Sequence, residues 1–191
     1  MRLAPIEKPD SLKLKLLYRT ILRRLGKVIT PAKVVYARVP ASVRLMYEMA
    51  TLPDKGMTIK PELRFLVQHY VAAINKCAFC MDIGKALAMQ HRVDLEKFNH
   101  LHEFRTNSMF SDNERAALEY VEEATTKKVV SDATFEQLRK HFNDREIVEL
   151  TLLNAIENFY NLINIPLEIE SDGLCVFPAR NSQGKLVAAT H

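Results

Sequence analysis

Helix signals crowd this sequence and strand signals are nearly missing, which limits the folds open to it more than any other feature. Only five glycines occur in 191 residues, and runs of alternating β-branched residues are scarce. Apolar positions recur instead at helical spacing, and several segments open with capping chemistry, in which a side-chain oxygen takes up orphan backbone donors of the first turn. Thr30-Pro31 sets proline at a first helical position. Ser111-Asp112-Asn113-Glu114 is a capping box, Ser131-Asp132 a cap, and Asn143-Asp144-Arg145-Glu146 a second box with Asn in the capping role. The expected fold is therefore all-α, with about eight helices near 11–25, 31–50, 61–75, 77–91, 94–105, 112–128, 132–141 and 144–163. Beyond Pro166 the tail, Glu168 to His191, reads as extended and as a segment that could be exchanged between subunits.

An apolar content of 48% with 26% charged residues suits one sizeable core. A single domain over 1–191 is expected, divided into a basic N-terminal helical arm (1–50), a helical core (55–165) and the tail (166–191). Residues 1–50 carry 11 Lys or Arg against 3 Asp or Glu, a net +8 that leaves −4 for the rest of a chain whose net charge is +4. In the arm, Leu14, Leu17, Ile21, Leu22 and Leu25 share a face, with Lys13, Lys15, Arg19, Arg23 and Arg24 largely opposite. Such a helix could meet a membrane surface or nucleic acid, but packing on its own domain or on a neighbouring subunit is the expectation, with no nucleic-acid partner. No apolar run is long enough to span a bilayer and the N-terminus lacks a signal-peptide pattern, so no transmembrane segment and a cytoplasmic location are expected.

Three cysteines are too few for a disulfide framework, and two of them form Cys77-Ala78-Phe79-Cys80. If a helix starts near Asn75 or Lys76, both sulfurs lie on its first turn, where the dipole and free N–H groups lower a thiol pKa and favour the thiolate. A C-x-x-C pair also serves zinc. Here four ligands would require Cys175 and a distant His69 or His91, unlike a compact zinc array. Two buried, inert cysteines are the remaining alternative. Geometry alone does not choose between Cys77 and Cys80 as the reactive sulfur.

The stretch Leu63 to Ala88, with Ala72-Ala73-Ile74-Asn75-Lys76-Cys77-Ala78-Phe79-Cys80-Met81-Asp82-Ile83, resembles the carboxymuconolactone decarboxylase family, in its alkylhydroperoxidase (AhpD)-like branch. Phe110 to Leu118 and Asn158-Phe159-Tyr160-Asn161 resemble the helices that follow in that family, so the likeness spans roughly residues 35–170. It implies an AhpD-like helical subunit that assembles into a homo-oligomer, a trimer or hexamer, and a peroxidase that reduces alkyl hydroperoxides. By the resemblance Cys80 is peroxidatic and Cys77 resolves it, forming a disulfide that an external dithiol, thioredoxin-like or lipoyl, reduces. The family's proton relay uses a Glu twelve residues before the first Cys and a His four after the second. These positions hold Phe65 and Gly84, which move no proton. Glu62 and His69, one turn either side of Phe65, are the candidate substitutes.

Asn154, Asn158 and Asn161 form a polar stripe on the helix expected at 144–163. They could line the thiol pocket or meet their copies across a subunit interface, and the interface is the preferred expectation. His91 lies too far along its helix to reach Cys80. Asp82 reads as a residue favoured by the helix dipole, and Cys175 as a free thiol. No G-x-G-x-x-G fingerprint occurs, so no cofactor is expected. The alternatives to a peroxidase are a general disulfide oxidoreductase, a decarboxylase-type enzyme acting on small carbon acids, and a non-catalytic oligomeric binding protein.

Overall fold

A computed structural model describes residues 1–176, and all regular structure among them is helical. The part of the tail expectation that falls on 177–191 lies outside the described residues. The elements are α1 (Leu12–Leu25), α2 (Ser42–Gly56), α3 (Pro61–Ile74), α4 (Ala78–Gln90), α5 (Glu96–Asn99), α6 (Asp112–Thr126), α7 (Asp132–Arg139) and α8 (Asp144–Asn164). Short helical turns at Ala32–Tyr36 (π), Leu101–Glu103 and Leu174–Val176 (both 3₁₀) join them.

The expected helix at 31–50 is two pieces. Pro40 cannot donate to a helix and its ring disfavours helical geometry in the residue before it, so the π turn ends and α2 starts afresh at Ser42. α2 then runs past Pro53, which is tolerated one turn from the helix end. The segment expected as a helix at 94–105 is likewise broken, into α5 and a 3₁₀ turn that together bury Phe98, Leu101 and Phe104. The capping signals at Ser111, Ser131 and Asn143 mark helix starts as read, whereas the Thr30 hydroxyl bonds to Asp172 and caps no helix. Asn143 Oδ1 accepts from Glu146 N–H at 3.0 Å while Glu146 accepts from Asn143 N–H at 2.9 Å, Ser131 Oγ accepts from Thr134 N–H at 3.3 Å, and Glu114 accepts from Ser111 N–H at 2.8 Å.

α3 is the central rod and shows why its sequence is apolar all round. One side packs on α6, α7 and α8 through Leu63, Val67 and Val71 against Val121, Leu138, Leu150 and Leu153. Another packs through Phe65 and Leu66 on Phe98, Phe104, Phe110 and Leu118. At its C-terminal end Ala72 joins a third cluster with Val34, Cys77, Phe79, Cys80, Ile169 and Leu174. Truncating a fully buried leucine such as Leu150 or Leu153 costs about 2–5 kcal/mol. α1 lies on its own chain: Leu14 and Tyr18 are buried, Leu17, Ile21 and Leu25 are half-buried, and Leu22, expected on the same face, is exposed. No helix among the described residues is long and apolar enough to cross a membrane.

Candidate redox site

The site begins with the way α3 stops. Lys76 adopts a left-handed conformation, φ 58°. Its N–H then bonds to the carbonyl of Ala73 at 3.0 Å and the N–H of Cys77 to that of Ala72 at 2.9 Å, the reciprocal pair of a Schellman stop. The chain reverses there. Cys77 becomes the N-cap of α4, its Sγ accepting from Cys80 N–H at 3.4 Å. α4 therefore starts at Ala78, within one residue of the expected 77–91, and Asn75 and Lys76 belong to the end of α3.

Cys77 and Cys80 are joined as a disulfide, with Cα atoms 5.2 Å apart, and both are buried. Asn164, in the last turn of α8, donates from Nδ2 to Cys80 Sγ at 3.4 Å, and its Oδ1 is buried with no hydrogen-bond partner among the described residues. Asn75, the C-cap of α3, donates to Asn158 Oδ1 at 2.9 Å and to Asn161 Oδ1 at 2.8 Å. Asn154 accepts from Thr125 at 2.7 Å and from Asn158 at 3.0 Å. The asparagine stripe is thus satisfied within one subunit, which corrects the expectation of an intersubunit contact. Buried amides need partners, and the open end of α3 supplies one.

α3 and α4 form an antiparallel hairpin with the cysteines at its turn. At the far end the ring of His91 lies 5.1 Å from that of Phe65. Midway, His69 faces Gly84, where an added Cβ would stand 3.9 Å from its Nδ1. His69 is buried, stacks on Phe98 at 4.7 Å, and leaves Nδ1 without a hydrogen-bond partner. Burial, reinforced by the Lys85 cation, lowers its pKa to about 4, so at neutral pH it is an uncharged imidazole. Glu62 is exposed in the first turn of α3, about 18 Å along the helix from Ile74 by the rise per residue. The structure brings Cys77, Cys80 and His69 to one hairpin and leaves Glu62 at its opposite end.

Asp82 has a different role from the dipole partner expected. Its carboxylate accepts from Ser171 Oγ (2.9 Å), Leu174 N–H (3.0 Å) and Cys175 N–H (3.1 Å), anchoring residues 171–175 to α4. Burial alone would raise its pKa, but these donors outweigh burial and hold it below the ordinary value. Cys175 is a free thiol as expected, half-buried, donating to the Asp82 carbonyl at 3.2 Å. Burial first, then the Asp82 carboxylate, pushes its pKa up to about 11.

Three residues of the neighbourhood were not singled out from sequence: Asn75, Asn164 and Glu157. The signal for two of them was present, since the 4–3 spacing of Asn154, Asn158 and Asn161 continues to Asn164, and Glu157 lies one turn before Asn161.

A C-x-x-C pair capping the second helix of an all-α hairpin is the arrangement that the resemblance to the AhpD-like branch implies. No family model matches the chain. It is 32% identical over 162 residues, 84% of its length and 88% of the relative's, to the uncharacterized protein YnjA of Escherichia coli K12. Among solved structures it superposes on an uncharacterized peroxidase-related protein with an alkylhydroperoxidase AhpD core from Ralstonia eutropha JMP134, with a TM-score of 0.74, 18% identity and coverage of 91% and 94% of the two chains. The debrominase Bmp8, solved in complex with 2,3,4-tribromopyrrole, gives a TM-score of 0.78 at 18% identity over 92% and 94%. At such identities these two structures speak to the fold alone. The chain belongs to the same family as YnjA, and its fold is the AhpD-like one that its sequence resembles.

Proposed function

We propose that this protein is a thiol peroxidase that reduces alkyl hydroperoxides by cycling Cys77 and Cys80 between dithiol and disulfide. The observation that carries the reading is the pair itself, set at the N-terminus of α4 at bonding distance, with an amide donor from Asn164 on the Cys80 sulfur. In the cycle the Cys80 thiolate attacks the terminal oxygen of R–O–O–H. The O–O bond breaks, a proton goes to the departing alkoxide to give R–OH, and Cys80 becomes a sulfenic acid. The Cys77 thiol then attacks that sulfur, releasing water and closing the disulfide. An external dithiol, thioredoxin-like or lipoyl, restores both thiols and leaves as its own disulfide.

His69 is the proposed proton carrier. Gly84 follows Cys80 by one helical turn and has no side chain, and the neutral His69 ring occupies the room beside it with an open nitrogen. It would take the Cys80 proton and return it to the alkoxide, worth about 10²–10⁴-fold. Glu62 has no part in this proposal, because its distance along α3 leaves it out of reach of the sulfurs.

We also propose a homo-oligomer. Val148, Leu152, Ala155, Phe159 and Leu162 recur at 4–3–4–3 spacing along the outer side of α8, and Val148, Leu152 and Leu162 are 57%, 42% and 74% exposed. A continuous apolar seam of that spacing suits a second helix.

The test is to mix reduced protein with one equivalent of an organic hydroperoxide and follow thiols and disulfides by mass spectrometry. Rapid Cys77–Cys80 bonding is expected, Cys80→Ser should abolish it, and Cys77→Ser should stop at a sulfenic acid on Cys80. Oxidation no faster than that of free cysteine would overturn the peroxidase reading and leave a general disulfide oxidoreductase.

A further inference from the structure

Glu157 is fully buried on the inner face of α8 and has no part in the cycle above. Its carboxyl accepts from Asn161 Nδ2 at 2.7 Å, and Asn161 in turn accepts from Asn75, two residues before Cys77. Further along the same face, Asn164 donates to Cys80. The acid is therefore tied to the cysteine turn through Asn161 and Asn75, by two short amide hydrogen bonds. No basic side chain forms an ion pair with it among the described residues. From its own helix comes Tyr160, whose hydroxyl donates to the Met46 carbonyl at 3.0 Å and whose pKa is raised by burial, by Tyr36 and by Glu157 itself. From the π turn comes Tyr36, a phenol pushed up to about 12 by burial. α6 contributes only Thr125, through Asn154, and α3 only Asn75. Lys76, the cation nearest in sequence to the turn, is exposed to solvent.

A carboxyl so enclosed resists ionisation. Burial raises its pKa to about 7, against a smaller lowering by Asn161, so the group changes charge in the neutral range while the pair is a disulfide. Reduction would add negative charge nearby, because a helix N-terminus such as that of α4 favours the thiolate form of a cysteine. Asn164, which reaches Cys80, lies seven residues beyond Glu157, about 10 Å along α8, and this sets the scale for the separation of the two charges. At an effective dielectric of about 20, two unit charges at that distance shift each other's equilibria about tenfold.

We propose that Glu157 is a positioning residue that couples the redox state of the Cys77–Cys80 pair to proton uptake, taking a proton when the disulfide is reduced and returning it when the disulfide forms. Reduction of the disulfide by two electrons and one proton yields a thiolate and a thiol; the thiolate charge draws a second proton onto Glu157. When peroxide oxidises the pair, the thiolate charge passes to the departing oxygen and the Glu157 proton neutralises it, so that thiolate, thiol, protonated Glu157 and R–O–O–H give disulfide, ionised Glu157, R–OH and water. The inference rests on the redox cycle proposed above and adds to it a proton store outside the reacting atoms.

The test equilibrates the protein with a dithiothreitol redox buffer from about pH 5.5 to about pH 8.5 and reads the reduced fraction by alkylation and mass spectrometry, for wild type and Glu157→Gln. Glutamine keeps the shape and the acceptor for Asn161 but carries no charge. The two proteins should share one equilibrium constant at the acid end, and the wild-type pair should be about tenfold harder to reduce at the alkaline end. Parallel curves across the range would overturn the coupling, while leaving the peroxidase cycle intact. A pair that does not equilibrate with the dithiol at all would overturn both. Should Glu157→Gln fail to fold, infrared difference spectra of wild type on reduction serve instead. A carboxyl band that grows in the neutral range upon reduction supports the coupling, and its absence refutes it.

Discussion

A buried imidazole with an empty nitrogen carries a cost that pH can reveal. His69 binds a proton near pH 6.5 in the unfolded chain but only near pH 4 in the fold. Its contribution to stability is therefore complete above about pH 6.5 and is lost as pH falls toward 4, by up to about 3 kcal/mol. Urea unfolding at pH 7 and at about pH 4.5 should show this loss in wild type, with a distinctly smaller one in His69→Phe, which keeps the stack on Phe98. Equal losses would place the acid sensitivity elsewhere. At this scale the sequence was informative about chemical type and less so about partnership. Cys77, Cys80 and His69 were all visible as candidates. That His69 stands against Gly84 was not, because the contact depends on the register of two helices joined through a left-handed Lys76 that nothing in the local sequence announces; glycine is the usual marker of such a stop, and it is lacking here. Arg92, φ 60°, reverses the chain in the same way where α4 ends, within one residue of the expected bound.

Among the elements, the helices with capping boxes lay within two residues of their expected bounds, since a cap fixes a helix start by local chemistry alone. The failures were 31–50 and 94–105, where no cap marks an interior boundary and tertiary burial of Phe98, Leu101 and Phe104 sets the path. The polar stripe of α8 was legible as a stripe, yet its partner was not, because Asn75 comes from a helix 83 residues earlier in the chain. Asp82 shows how one side chain can fix an entire segment. Asp82→Ala removes the acceptor for Leu174 and Cys175 N–H groups, and a buried donor left unpaired costs about 1–3 kcal/mol. Limited proteolysis should then cut near residues 167–176 well before any loss of helical circular dichroism. Unchanged resistance would mean that packing of Ile169 and Leu174 suffices to hold the segment.

For the molecule as a whole, α8 faces two ways, its amides toward the cysteines and Val148, Leu152 and Leu162 outward. Replacing Leu152 and Leu162 together by Glu should convert the proposed oligomer to monomers in light scattering after gel filtration, with the thermal midpoint of the monomer fold little changed, because both side chains are exposed in the single subunit. An unaltered mass would exclude the seam as the contact. The N-terminal arm and residues 167–175 meet beside the cysteine cluster. Arg2 N–H meets the Leu167 carbonyl at 3.0 Å, and Thr30 N–H and hydroxyl meet Asp172 at 2.7 and 2.8 Å, contacts spanning more than 140 residues. The α3–α4 hairpin, by contrast, closes over a few residues. Contacts of long sequence separation carry the larger loop entropy, so the hairpin can fold early while arm and tail join late and detach first. Amide exchange should accordingly be fastest, among the ordered elements, in α1 and residues 167–175, and slow through α3 and α4. The cysteines would then gain solvent by the lifting of a clasp, with the helix turn that spaces their sulfurs still wound.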